Sequence, residues 1–489
     1  MRPTNIVMTG EPSFEADPAT DLGSVWNRID GLLIGGFTVA AVATRFWRLG
    51  YPAEPVFDEI QFVGQALAYL RGEQFLDVHP GLPKLIIAMI INLLGEHPWV
   101  WRIPSASLGS ALVLITFLLC REMFRSRTAA VLGALFVLCD GMFLIHSRLA
   151  MLEIFHLTFT AASYLLLFQL FHTRDLVFAR RRILYLGLVS GAALACKLVL
   201  PEIGFLLVAG FLGKDLMTRD LGRGRSRERR IAGSFLLLLS GSSIVYLATF
   251  MPNFWLGWWG GAWSLVHYYH EVLWSLGSMA QTSSRFVLPW WSWPLMLRAP
   301  MYWQRAIGDN QVATIWEGGN PMLWWSSLVA LALTLVRGVR RPTTARAFLL
   351  IGYASYMLVL SLPKYPLFQY IYMAPLYLQY LMLAALLGTF WDGPSQPWEH
   401  LVIMLSLAPA CILGLGTTLG TSCLVVVAAL YAVLGWRSSI AGKFVCAIFC
   451  AAVILAFIYF LPLWLAMPLD QAGYEARIWL HGPGLAKWL

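Results

Sequence analysis

Ionisable side chains at five places in this chain lie against long apolar runs, where a charge is costly and is kept for a task. They are Asp58 and Glu59, within Phe57-Asp58-Glu59-Ile60; Asp77 and His79, within Asp77-Val78-His79-Pro80; His146-Ser147-Arg148 with Glu153; Lys197 with Glu202; and Lys364 with Tyr365. Adjacent residues of a helix diverge by about 100°, so Asp58 and Glu59 cannot work as a symmetric acid/base pair. One catalytic and one supporting acid is the better division. Desolvation at a lipid interface raises a carboxyl pKa toward useful base strength, while Arg148 and Lys197 offer positive charge to an anion. An acid beside cations at a bilayer surface suits deprotonation of a hydroxyl while a lipid-linked phosphate leaves. The same groups would suit a proton-coupled transporter. Asp58, Glu59, Asp77 and His79 are of metal-ligand type, but the reading adopted has no metal.

The elements that must position these groups follow from composition. Of 489 residues, 58% are hydrophobic, 14% aromatic and only 12% charged, with a mean hydropathy of +0.66. A soluble chain carries about a quarter charged residues, so too little polar surface remains for a water-facing molecule. A soluble enzyme, a fibre and a disordered chain are excluded together. The net charge of +9 sits in short clusters between apolar runs: Arg121, Arg125 and Arg127; Arg174 and Arg180 to Arg182; Lys214 to Arg230; and Arg337, Arg340, Arg341 and Arg346. That is the positive-inside pattern of cytoplasmic loops, not a nucleic-acid surface. The seven cysteines lie in or beside apolar runs without ligand spacing, which supports neither disulfides nor zinc.

Residues 1–30 are polar and rather acidic and read as a cytoplasmic tail ahead of an uncleaved signal anchor. Apolar runs follow near 31–48, 100–120, 129–146, 154–171, 183–213, 231–250, 322–336, 347–362, 371–389, 401–436 and 444–465. Basic clusters flank 183–213 on both sides, so it must cross twice, and 401–436 divides by the same argument. The chain is therefore an all-α polytopic membrane protein of about 11–13 transmembrane helices. Leu82 to Leu94 is too short to span and would reverse the charge rule. It is expected as a helix in the outer interface. Thus 31–250 forms an N-terminal catalytic module with an outward loop at 50–98, and 251–320 is a second, tryptophan-rich outward loop. Residues 321–465 form a C-terminal membrane module, and 466–489 an outward tail. No inverted repeat of two halves is visible, which counts against a secondary transporter.

Phe57-Asp58-Glu59-Ile60-Gln61-Phe62, followed by Phe75-Leu76-Asp77-Val78-His79-Pro80-Gly81-Leu82-Pro83-Lys84-Leu85, closely resembles the protein O-mannosyltransferase family, in which a phenylalanine-aspartate-glutamate motif precedes a DVHPPLGKL-like run. Further similarities follow in order. Trp101-Arg102-Ile103-Pro104-Ser105 resembles the entry to the next span, and Ser147 to Glu153 the SR-x-x-x-LD segment. Ala195-Cys196-Lys197 is similar to the hairpin tip, and Pro289 to Met296, including Trp293, to the bacterial large loop. Gly319-Asn320-Pro321 and Tyr474 to Leu480 match later segments. Glu153 stands where the family usually has aspartate, Gly81-Leu82-Pro83 replaces the commoner PLG order, and Lys364 to Pro375 lacks a tyrosine-histidine pair.

The resemblance implies a C-type, inverting membrane glycosyltransferase fold with outward-facing loop helices. It implies transfer of mannose from polyprenyl-phosphate mannose to serine or threonine of secreted or membrane proteins, on the extracytoplasmic side of the plasma membrane. The lipid-linked donor is a substrate, so no cofactor is expected. The lipid bilayer and the protein-translocation machinery are the expected surroundings, and nucleic acid is not. Within that reading Asp58 is the base, Glu59 and Glu153 position the acceptor or orient cations, and Arg148 and Lys197 face the lipid phosphate. Asp77 and His79 organise the loop, and Arg102, Trp293 and Lys364 complete the substrate-binding set. The alternatives are transfer of another lipid-linked sugar to a lipid or glycan, and an ion-coupled transporter.

Overall fold

The computed structural model describes residues 26–173, 175–199, 201–205, 225–279, 289–297, 299–363, 367–393, 395–408 and 439–478. The first eight helices are α1 (Arg28–Phe46), α2 (Glu59–Arg71), α3 (Leu82–Leu94), α4 (Pro98–Phe124), α5 (Arg127–Leu138), α6 (Gly141–Arg148), α7 (Leu152–Phe171) and α8 (Leu176–Cys196). Longer helices follow at Arg225–Ala248, Pro321–Arg340, Thr344–Leu360, Met373–Asp392 and Ser439–Trp464. Among the described residues, seven helices are long and apolar enough to cross a membrane, or eight if the bent pair α5 and α6 counts as one span. Residues 206–224 and 409–438, onto which two expected double crossings extend, lie outside the described residues.

The helix ends follow local chemistry. Asn27 caps α1 through its side chain while Asp30 returns to the Asn27 amide, the reciprocal arrangement that satisfies two orphan donors. Buried Asp30 also receives the Arg127 guanidinium at 2.8 and 3.0 Å, with Arg121 at 3.6 Å. The run read as one span at 129–146 is broken by 61° at Asp140. Asp140 Oδ1 accepts from the amides of Met142 and Phe143 at the start of α6, and Oδ2 accepts from Asn320 N and the Tyr380 hydroxyl. Asn320 in turn donates to Cys139 O and Val453 O and caps the helix beginning at Pro321. The Gly319-Asn320-Pro321 segment is thus a staple across the bend.

α4, α5, α7 and Met373–Asp392 form the interior, lined by Phe117, Phe136, Phe143, Tyr377 and Tyr380. α1 lies at the periphery with Leu32 and Val39 exposed to 76% and 70%, as an apolar surface facing lipid would be. The segment expected as an outward loop contains helices Met251–Trp255 and Trp263–Met279 and the 3-10 turn Trp290–Leu295. It also holds strands β1 (Met301–Ile307) and β2 (Gln311–Trp316), to which β3 (Leu469–Asp470) from the tail adds antiparallel. This small sheet is an addition to the expected all-α architecture.

Candidate active site

Arg102, on α4, shapes the loop between α1 and α2 that carries Asp58. Its five N–H donors meet Glu59 Oε1 and Oε2 at 2.9 and 2.7 Å and the carbonyls of Leu49, Pro52 and Glu54. Glu59 is fully buried and also accepts from the amides of Val56 and Ala150. Both partners of this forked ion pair are therefore satisfied, as burial requires. Phe57 sits at φ +52°, a region costly for a bulky residue, and its ring stacks on Tyr302 at 4.2 Å. Packing on Tyr302 holds this strained backbone immediately before Asp58. The two carboxylates diverge as helical spacing demands.

Asp58 Oδ2 accepts from the Tyr370 hydroxyl at 3.1 Å. Its carboxyl is pushed up to about 6, first by burial and then by the negative charge of Glu153, while the Tyr370 hydrogen bond, His146 and Lys197 act the other way. Glu153 Oε1 lies 3.3 Å from Lys197 Nζ, and that ammonium sits 5.7 Å over the Tyr370 ring. Lys197 is the residue at which α8 ends before the chain resumes a helix at 201–205. Burial pushes the His79 imidazole down to about 4, aided by Lys197 and opposed by Glu153. His79 therefore stands near the same charges as a neutral ring at pH 7.

The remaining expected site residues fall elsewhere. Arg148 donates to the carbonyls of Thr44, Arg45, Trp47 and Arg48, so its charge closes the C-terminus of α1, where carbonyls favour a cation. Asp77 pairs with buried Lys84 and accepts from the His79 amide, and Lys84 also donates to His79 O. Trp293 is fully buried in the core and accepts from the Trp324 indole through its carbonyl. Glu202 packs with His156 at 2.9 Å and with the Tyr356 hydroxyl. Lys364 and Tyr365 lie outside the described residues. Among the described residues no three of His, Cys, Asp and Glu come together to hold a metal ion.

Three groups were not assigned from sequence. Tyr370 is the hydrogen-bond donor to Asp58, and Tyr302 and Glu317 meet His146 Nε2 at 3.3 and 3.2 Å. Glu317 directly follows β2, two residues before Gly319-Asn320-Pro321. An acid beside that motif was the available signal.

Residues 36–103 and 96–258 match the family model for dolichyl-phosphate-mannose-protein mannosyltransferase. Residues 262–482 match the C-terminal four TMM region of protein-O-mannosyltransferase. The polyprenol-phosphate-mannose–protein mannosyltransferase of Mycobacterium tuberculosis is 24% identical over 536 residues, covering 95% of this chain and 94% of the relative. In fold, the chain is similar to the S. cerevisiae protein O-mannosyltransferase Pmt1-Pmt2 complex bound to the sugar donor, with TM-score 0.75, 14% identity and coverage of 94% and 93%. It is also similar to ArnT from Cupriavidus metallidurans bound to undecaprenyl phosphate, with TM-score 0.55, 15% identity and coverage of 92% and 78%. The GT-C architecture and the family are thereby both shown. A half-buried acid on the first loop, near a lysine at the end of α8, sits inside a chain matched along most of its length: it belongs to the dolichyl-phosphate-mannose-protein mannosyltransferase family of membrane glycosyltransferases.

Proposed function

We propose that this mannosyltransferase moves mannose from a polyprenyl-phosphate donor to serine or threonine of proteins, with Asp58 as general base. The observation that carries the base assignment is the Asp58 carboxyl, held at the head of α2 and raised to about 6. At neutral pH it is ionised yet basic enough to accept a proton from an alcohol entering the transition state. The acceptor Oγ gives its proton to Asp58 and bonds to the anomeric carbon. The bond from that carbon to the phosphate oxygen breaks on the opposite face, inverting the configuration, and polyprenyl phosphate leaves with the electron pair.

A phosphate leaves readily, so charge stabilisation is needed rather than an acid. Lys197 supplies it, steered by Glu153. Arg148 is not given a phosphate role, because four helix-end carbonyls surround its guanidinium. Glu59 and Arg102 fix the loop, as do Asp77 and Lys84. His79 is a neutral polar group beside the reacting centre, and Trp293 supports the core behind it. The reaction takes place on the extracytoplasmic side of the plasma membrane, where proteins emerging from translocation present unfolded segments. The lipid-linked donor is a substrate, and this scheme requires no cofactor.

The test uses purified protein, radiolabelled polyprenyl-phosphate mannose and a Ser/Thr-rich peptide, with and without chelator. Asp58→Asn should lower kcat by about 10²–10⁴, the range of general-base contributions, with donor binding retained. Near-normal turnover in a folded Asp58→Asn protein would remove the base assignment. Transfer to lipid or glycan but not peptide would remove the acceptor class.

A further inference from the structure

We infer that the helix Trp263–Met279 lies flat on the bilayer, its exposed side sunk among lipid headgroups and acyl chains, and that through Tyr268 it holds the Asp77–His79 loop for the lipid-linked donor. The hold on the loop rests on the transferase reading; the docking on lipid does not.

At about 100° per residue, Trp263, Val266, Leu273 and Trp274 fall within an arc of about 100° on one side of this helix. All four are exposed, the two tryptophans to 83% and 78%. His270 shares that side, and His267 and Glu271, paired at 3.2 Å, border it. Apolar surface of this extent marks a contact with a partner or a membrane. Tryptophan on an amphipathic helix suits the interfacial zone, because its ring is apolar and its N–H is polar.

The opposite side of the helix shows which partner covers it. The Tyr269 hydroxyl meets that of Tyr246, in the last turn of Arg225–Ala248, one of the helices able to cross a membrane. The Phe250 ring, just past that turn, lies 5.6 Å from the Tyr268 ring and 6.4 Å from that of Tyr269. The helix therefore sits at the level where that span leaves the bilayer. Ile244 and Leu247 are exposed near the end of the span and Trp255 follows, so a lipid-facing surface continues toward Trp263. The helix carries no lysine or arginine, so its attraction is apolar and does not depend on anionic headgroups.

Tyr268, on the packed side, donates to Asp77 O at 2.7 Å and lies 3.5 Å from His79 O. Trp258, in the turn before the helix, donates to Gly72 O at 3.1 Å. His79 stands near Lys197 and Glu153. One loop thus joins a helix at headgroup depth to the cation proposed to receive the donor phosphate, and the donor itself arrives within the lipid.

The experiment places an environment-sensitive fluorophore on Leu273→Cys in the full-length protein in phosphatidylcholine nanodiscs, read above the background of native cysteines. Quenching by nitroxide-labelled lipid is compared with quenching by aqueous iodide, with Glu271→Cys as the reference at the border of the exposed side. The ratio of lipid to iodide quenching should be several-fold higher at Leu273→Cys, without anionic lipid. A higher iodide share at Leu273→Cys, or protection from both quenchers by a second copy of the chain, would overturn the docking. In the transfer assay, Tyr268→Phe keeps the ring packing and should raise the donor KM about two- to tenfold, the range for one lost hydrogen bond, with kcat little changed. The pair Trp263→Ser and Trp274→Ser, both at exposed positions, should raise the donor KM similarly and move the fluorophore toward iodide. Combining them with Tyr268→Phe should add little. An unchanged donor KM in these variants, or an equal fall in kcat, would overturn the hold on the loop. Absence of mannosyl transfer by wild type would overturn the transferase reading and the loop's part in it, while the quenching pattern still decides the docking.

Discussion

Two neighbouring acids, Asp58 and Glu59, meet different partners because a helix turns between them. Glu59 looks inward, and its partner Arg102 is 43 residues further on. Asp58 looks toward Tyr370, more than three hundred residues away, a separation of 312. Sequence spacing set the two apart as unequal acids, but the identity of each partner was not legible there. Removing one member of a fully buried ion pair leaves the other uncompensated, at a cost of about 3–5 kcal/mol. Glu59→Gln should therefore lower the melting temperature in detergent markedly and reduce activity through loss of the loop's shape. A melting temperature equal to wild type would show that the fork does not hold the loop. Arg148 illustrates the limit of reading residues singly. A cation at a predicted span end served equally as a phosphate ligand or a helix cap, and only the position of the α1 carbonyls decides between them.

Helices here meet through details that apolar runs do not reveal. Gly187 and Gly191, one turn apart on α8, lie against the backbone of Leu238 and Ser242. A Cβ at either would sit 2.5 Å from a carbonyl oxygen, so the close approach depends on small residues, as between helices in lipid. Gly191→Leu should cost about 1–3 kcal/mol through overpacking, and because α8 ends at Lys197 it should also raise the donor KM. Thermal unfolding and donor titration together would check this, and unchanged values for both would refute it. The bend between α5 and α6 carried a signal in plain view, an Asp-Gly pair at Asp140-Gly141 inside an apolar run. The β1–β2 hairpin was signalled too, by Gly308-Asp309-Asn310 between stretches rich in aromatic and β-branched residues. By contrast, the 13-residue helix Leu82–Leu94 has the bounds that its apolar run predicts, since Pro83 starts it and Gly95 ends it.

At the scale of the molecule, the charge distribution and the apolar runs make a single statement about orientation. If 50–98 faces outward and the basic clusters inward, Glu73→Cys in the exposed end of α2 and its loop should react with a membrane-impermeant maleimide in intact cells. Arg340→Cys, exposed at the opposite kind of loop, should react only after permeabilisation. The reverse pattern, measured above the background of native cysteines, would invert the topology and place the active site in the cytoplasm. The composition and runs of this chain were sufficient for a polytopic helical membrane protein, because burial of backbone in lipid leaves helices as the solution for apolar segments of this length. The local motifs were sufficient for the family, because Asp58-Glu59 and Asp77-Val78-His79-Pro80 are short and contiguous. Tertiary structure alone decided that Arg102 belongs to Glu59, that Tyr370 reaches Asp58, and that Glu317 stands behind His146. Hydrogen bonds and ion pairs depend on separations of about 3 Å in space, and nothing in linear order fixes those between residues hundreds of positions apart.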